Sequence, residues 1–291
     1  VEVDSMNASW KPASWALVPL LLLAQGCGDD EKQSDKTYTV RFSPQVRQEA
    51  LKCGTTYPDI GTSRGVIELL DFKMYLRDVT LVRANGERHP LTLAQDGTWQ
   101  RDAIALLDFE DGTGSCTTGS SAMHREVVGT APEHDDYTGL EFKVGLPPEL
   151  NHLDAEAERA PLNVAPMWWS WQGGYKFVAL DIRSQANESF YFHMGASGCR
   201  GSVPDGFTCT ADNQATITLA GFDPEENQVV LDLAGLYAEL DVNRVPNGTT
   251  DMMPGCMSGA SDPECPVLFS QFGLAADGSP KALPTTFFRV R

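Results

Sequence analysis

With 291 residues, 42% of them hydrophobic, the chain is long enough for one large β domain or two ordinary ones and apolar enough to bury a core. Its 40 acidic residues against 22 basic ones leave a net charge of −18, a field that argues against nucleic acid and anionic lipid headgroups as partners. The same field attracts cations or a basic protein, although its commonest consequence is solubility.

In chain order, the first feature is an export signal. After Lys11 the run "WALVPLLLLA" holds ten residues, Trp15 to Ala24, too short to cross a bilayer but suited to a signal-peptide core. "AQGC" follows, with the small residues Ala24 and Gly26 ahead of Cys27, and resembles a relaxed bacterial lipobox. The expected organisation is a signal peptide over 1–27 with Cys27 as the lipidated residue, a polar tether over 28–36 and a mature domain over 37–291. Such a protein sits in the periplasm or at the cell surface, held by its lipid.

The mature region reads as β throughout. Segments 37–42, 72–87, 139–146, 175–184, 189–195, 215–222 and 227–240 alternate apolar and polar residues and are rich in Val, Thr, Tyr and Phe. Gly, Pro, Asn and Asp punctuate the gaps. Asn85-Gly86 is the strongest hairpin signal, and Asn187 turns a second hairpin pairing 175–184 with 189–195. Helical signals are confined to a short stretch from Pro148 and to "PVLFSQFGL". The expected fold is an all-β, antiparallel β-sandwich with long irregular insertions, stapled by disulfides.

Removing Cys27 leaves six cysteines, an even number in an exported chain, which favours disulfides over metal thiolates. Proximity suggests Cys199 with Cys209 and Cys256 with Cys265, leaving Cys53 and Cys116, although six cysteines allow fifteen pairings. The absence of CxxC argues against a zinc ribbon, and the absence of CxxCH against a c-type haem in this chain. Hydrolase, zincin, P-loop and dinucleotide-binding signatures are missing too, so the chain is not expected to be an enzyme.

Three of the six tryptophans, Trp168, Trp169 and Trp171, crowd into "MWWSWQGG". Strand alternation puts Trp169 and Trp171 on one side and Trp168 on the other. Among the five histidines, His193 shares a strand face with Tyr191, and His152 lies in a Pro-bounded connection leading into the tryptophans. His89 reads as a turn residue, while His124 and His134 fall in a polar insertion. Met252, Met253 and Met257 offer thioethers suited to Cu(I), but equally fill gaps around a tied loop. Asp232, Asp241 and Asp251 lack EF-hand spacing and read as solvated faces.

Three separated segments, "LNHLDAEAERAPLNVAPMWWSWQGGYKF", "FHMGASGC" and "PGCMSGASDPEC", resemble the MbnP-like copper-binding proteins, the four-Cys-motif members of the "metallo-mystery pair". The resemblance implies an exported protein of bacterial copper homeostasis that binds copper, with Cu(I) favoured. It also implies a partner, a di-haem cytochrome c peroxidase or MauG-like protein, that oxidises a tryptophan to kynurenine. Carried over, His152, His193 and Trp169 or Trp171 become the metal-site residues, and Cys199, Cys209, Cys256 and Cys265 match the four-Cys pattern. The alternative is a cell-surface structural or interaction β-sandwich lipoprotein without metal, in which the tryptophans are only core.

Overall fold

A computed structural model describes residues 34–117, 119–248, 253–259, 261–281 and 285–291. The signal segment, Cys27 and most of the tether lie outside the described residues, as do Asp251 and Met252. Asp35 and Lys36, at the end of the segment read as tether, pair with Pro132 and Ala131 as the first rungs of a strand, Asp35–Val46.

Two sheets build an all-β sandwich. One has six strands, centred on Asp35–Val46, which lies between Val229–Asp232 (parallel) and Glu126–Pro132 (antiparallel). The other has ten strands, and its spine is the 19-residue strand Gly65–Arg83. Tyr137–Val144 and Val178–Ser184 pair in succession along one edge of that spine, Ile104–Asp108 pairs along the other, and Phe190–Met194 adds beyond Val178–Ser184. The inner faces meet through aromatic rings. Phe142 of the larger sheet lies edge-on to Phe42 at 5.6 Å and to Phe288 at 5.7 Å, both from the smaller one. Such contacts add about 0.5–1.5 kcal/mol each beyond the buried area.

Both hairpins form where the turn chemistry puts them. Gly86 adopts φ 87, a left-handed conformation that a residue without Cβ enters freely, and Val82 then pairs with Arg88. Val178–Ser184 pairs with Phe190–Met194 around Asn187, whose side chain donates to the carbonyls of Val242 and Arg244. The predicted helical stretches become Pro148–Asn151 and Cys265–Ser270.

Two segments depart from simple alternation. Segment 175–184 divides: Gly174–Tyr175 leaves the main sheet to pair with Trp168–Ser170, and only 178–184 joins the spine. The 227–240 strand is corrected to Val229–Asp232 followed by a helix, Leu233–Leu236. Asp232 accepts the Ala234 N–H at 3.1 Å and caps that helix, while Leu233, Leu236, Tyr237 and Leu240 are buried at helical spacing. Strand Ile104–Asp108 escaped notice because all five of its residues are buried, which erases the two-residue period.

All six described cysteines pair: Cys53 with Cys116, Cys199 with Cys209, and Cys256 with Cys265. Each staple adds about 2–4 kcal/mol by restricting the unfolded chain.

Candidate metal centre at the tryptophan hairpin

The tryptophans are held by the connection before them. Helix Pro148–Asn151 ends at buried Asn151, whose Oδ1 accepts the Tyr175 N–H at 3.0 Å. The Tyr175 hydroxyl in turn donates to the Leu162 carbonyl at 2.8 Å. These bonds fasten the small hairpin of Trp168–Ser170 and Gly174–Tyr175 over the connection. Gly174, at φ 78, allows the close approach, because a Cβ there would stand 2.7 Å from Asn151.

Each tryptophan has a different environment. Trp168 packs against the core, and its buried indole Nε1–H finds no acceptor among the described residues. The Trp169 ring lies 6.4 Å from the His193 ring. The strand ends at Ser170, so Trp171 follows the turn rather than the alternation, and it is 47% exposed. Its ring sits 6.0 Å from Phe207.

His193 shares its strand face with Tyr191, the two rings 5.2 Å apart, as the alternation required. Its Nε2 lies 2.7 Å from Asp181 Oδ1. A carboxylate oxygen only accepts, so in the neutral ring Nε2–H donates and Nδ1 keeps the lone pair. That Nδ1 is buried and has no hydrogen-bond partner among the described residues. Burying an unpaired polar atom costs about 1–3 kcal/mol, and no hydrogen bond from the adjacent Trp169 ring offsets it.

His152 caps the helix and is only 9% exposed, stacked on Phe207 at 4.2 Å, rather than facing solvent from a loop. Its Nδ1–H donates to the Trp171 carbonyl at 2.9 Å, which leaves Nε2 as the acceptor. Asn151 Nδ2 approaches that Nε2 at 3.2 Å and Cys209 Sγ stands 3.6 Å from it. Each imidazole is thus tied to a different tryptophan, His193 to the Trp169 ring and His152 to the Trp171 backbone. No described contact joins the two imidazoles directly.

Two other clusters bring ligand-type atoms within 4.8 Å of one another: His152 with Cys199 and Cys209, and Asp262 with Cys256 and Cys265. Their sulfurs are bonded to each other, so neither cluster offers a thiolate. The remaining histidines go to packing: His124 stacks on Trp99 at 5.1 Å, and His89 and His134 lie beside Tyr137. Burial holds the His124 pKa below its usual value. Met253 is 44% exposed, and the Met257 backbone N–H donates to Asp262 at 2.8 Å.

The sequence matches the model of the MbnP family over residues 35–258. The chain belongs to the MbnP family. The solved structure of MbnP from Methylosinus trichosporium is similar to it, with 29% sequence identity and a TM-score of 0.77, over 88% of this chain and 98% of that one. No curated protein sequence matches.

The MbnP match runs through the tryptophan hairpin and His193 to Ser258, and the structure gives that last residue a task. Ser258 Oγ donates to the His193 carbonyl and accepts the Gly195 N–H, both at 2.8 Å. Asn213 Nδ2 donates to the Gly195 carbonyl at 2.7 Å. The Cys256–Cys265 loop therefore clamps the floor beneath Trp169. A Cβ on Gly195 would stand 2.6 Å from Trp169 Cζ3 and 2.7 Å from the Tyr175 carbonyl oxygen. Gly195→Ala is expected to cost about 1–3 kcal/mol by overpacking. It should also shift the tryptophan emission, measured alongside a urea melt; an unchanged midpoint and spectrum would show that the ring is not seated on Gly195.

A buried charge cluster of this MbnP-family fold lies one strand from His193. Asp71 is the register partner of Asp181, and Lys73 Nζ reaches Asp71 at 2.6 Å, Glu110 at 2.8 Å and Asp108 at 3.6 Å. Burial pushes Asp108 up to about 7 and raises Asp71, against the pull of Lys73. Burial opposes the charge on Lys73, but Asp71 and Asp108 outweigh it and its pKa is raised. Neighbouring Lys176 is lowered by burial.

Sequence reasoning missed Asp181, Asn151, Gly195, Asn213 and Ser258. Only Asp181 had a signal: it is an acid inside an apolar strand, and the hairpin predicted around Asn187 brings it beside His193.

Proposed function

We propose that this MbnP-family chain is an exported copper-binding protein, not itself an enzyme, whose site is built from His193, His152 and an oxidised Trp169. The observation that carries the reading is the buried, unpartnered Nδ1 of His193 beside the Trp169 ring. An imidazole with one N–H engaged by a carboxylate and the other nitrogen open is the arrangement that metal-ligating histidines adopt. Imidazole and aromatic-amine donors suit Cu(I), which accepts few ligands of this softness. His152 would contribute its Nε2, with Nδ1–H held by the Trp171 carbonyl.

Trp169 is the residue whose ring neighbours His193, so its oxidation product would lie within the site. The oxidant would be peroxide, delivered through a di-haem partner of the peroxidase class. Two peroxides cleave the indole 2,3-bond to give formylkynurenine and two waters, and hydrolysis then yields kynurenine and formate. The product carries an aromatic amine and a ketone in place of the indole. Trp171, 47% exposed at the turn, is the natural place for electrons to leave toward that partner. Copper, when bound, supplies only a cation to be held; the chain's own residues orient its donors and exclude water. Lipidation at Cys27 would keep the protein at the membrane in the periplasm or at the cell surface.

Co-expression with a di-haem partner should make the peptide spanning residues 168–171 about 4 Da heavier, the net of one oxygen gained and one carbon lost. Fragmentation should place the change on Trp169. An unmodified peptide, or a change confined to Trp168 or Trp171, would remove Trp169 from the site. A second reading, an interaction β-sandwich without metal, draws on Trp168, which packs against the core. Purified protein that retains no copper after Cu(I) loading would decide for it.

A further inference from the structure

We propose that Asp181 is the positioning residue of this site: it selects the His193 tautomer that leaves Nδ1 as the nitrogen open to a ligand. The inference rests on the reading of His193 as a copper ligand and adds to it a residue that touches no metal.

The placement follows from strand register. Ala179 is opposite His193 and Asp181 is opposite Tyr191, so Asp181 and His193 are diagonal neighbours on one face of an antiparallel pair. The 2.7 Å contact spans that diagonal. An unrestrained neutral imidazole exchanges between Nδ1–H and Nε2–H forms, and a carboxylate, which has only acceptor oxygens, holds the second. Ring rotation is opposed by Tyr191 at 5.2 Å and Trp169 at 6.4 Å, and the backbone beneath is pinned by Ser258. Asp71, opposite Asp181 on the next strand, has its own partner in Lys73 at 2.6 Å, so the two carboxylates do not compete for one cation.

The negative charge at Nε2–H also makes Nδ1 a better donor, as carboxylate partners do for metal-bound imidazoles. Without a ligand this arrangement leaves a buried lone pair unsatisfied. A fold selected for packing alone would gain by turning that nitrogen toward an acceptor or donor. The geometry instead keeps it facing the tryptophan side.

The test has two arms, and the first needs no metal. Nitrogen-15 NMR of the imidazoles in metal-free protein should show His193 in the Nε2–H tautomer, with Asp181→Ala admitting the Nδ1–H form. Competition for Cu(I) against a chromophoric chelator should show Asp181→Ala binding about 10–100-fold more weakly, with an unchanged far-UV circular dichroism spectrum. Asp181→Asn keeps an oxygen acceptor and should restore the tautomer and most of the affinity; the parent's own tautomer carries the test if the alanine variant does not fold. Finding Nδ1–H in the parent, or parent-like Cu(I) affinity in Asp181→Ala, would overturn the proposal. A parent that binds no copper at all would sink the copper reading, while the tautomer measurement would still decide what Asp181 does.

Discussion

Alanine at His193 is expected to abolish stoichiometric copper binding while the sandwich stays folded. The residue lies in the second hairpin, but among the described residues its side chain makes one hydrogen bond, to Asp181, and its other nitrogen has no partner. The stability loss should be about 1–2 kcal/mol, at the low end because the Asp181 side chain is 20% exposed and water can replace the lost donor. Loss of one ligand from a low-coordinate site should cost on the order of 4 kcal/mol of binding, about a thousandfold in Kd. Chelator competition reads the affinity and a urea melt reads the fold. A double variant lacking both His152 and His193 that still held one copper as tightly as the parent would show that the site lies elsewhere.

The largest expected stability loss falls outside the site. Lys73→Met leaves Asp71, Asp108 and Glu110 around an apolar side chain, where Asp108 is 3% and Glu110 0% exposed. Removing one partner of a buried ion cluster costs about 3–5 kcal/mol, because the surviving charges have lost both water and counter-ion. The pH dependence follows from the direction of the shifts. Asp108, at about 7 in the folded protein against 3.8 ordinarily, binds a proton more tightly folded than unfolded. Asp71 is raised in the same direction. Their contribution is complete below about pH 4 and is lost as pH rises through about 7. Lys73, raised above 10.5, acts only at higher pH and leaves that window unchanged. Between pH 5 and 8 the parent should lose on the order of 2 kcal/mol, and Lys73→Met more steeply. Asp108→Asn should flatten the parent's profile. Denaturant melts at both pH values check this, and a parent equally stable at pH 5 and 8 would refute it.

Much of the fold was legible because its signals are local. Asn85-Gly86 and Asn187 turn hairpins through backbone chemistry that needs no distant partner, and an even number of cysteines in an exported chain implies pairing. The failures have equally definite causes. Ile104–Asp108 is buried on both faces and so shows no period of two. Leu233–Leu236 reads as strand until Asp232 is seen to cap a helix, because a β-rich run and one helical turn place leucines almost alike.

The candidate site divides along the same line. The sequence by itself determined the components: a tryptophan run, two imidazoles in unusual contexts, paired cysteines and the motifs shared with the MbnP family. It also determined that His193 and Tyr191 share a face, since that follows from strand period alone. Only the tertiary structure decided which tryptophan neighbours which histidine. Trp169 meets His193 because strand Phe190–Met194 continues into Gly195, whose missing side chain makes room for the indole. Trp171 meets His152 because Asn151 ties the helix end to the hairpin from 24 residues away. Asp181, Ser258 and Asn213 likewise acquire their roles only through cross-strand register and loop closure. Alternation and turn chemistry report what a residue's immediate neighbours impose, whereas the aim of a single ring nitrogen depends on contacts between segments far apart in the chain.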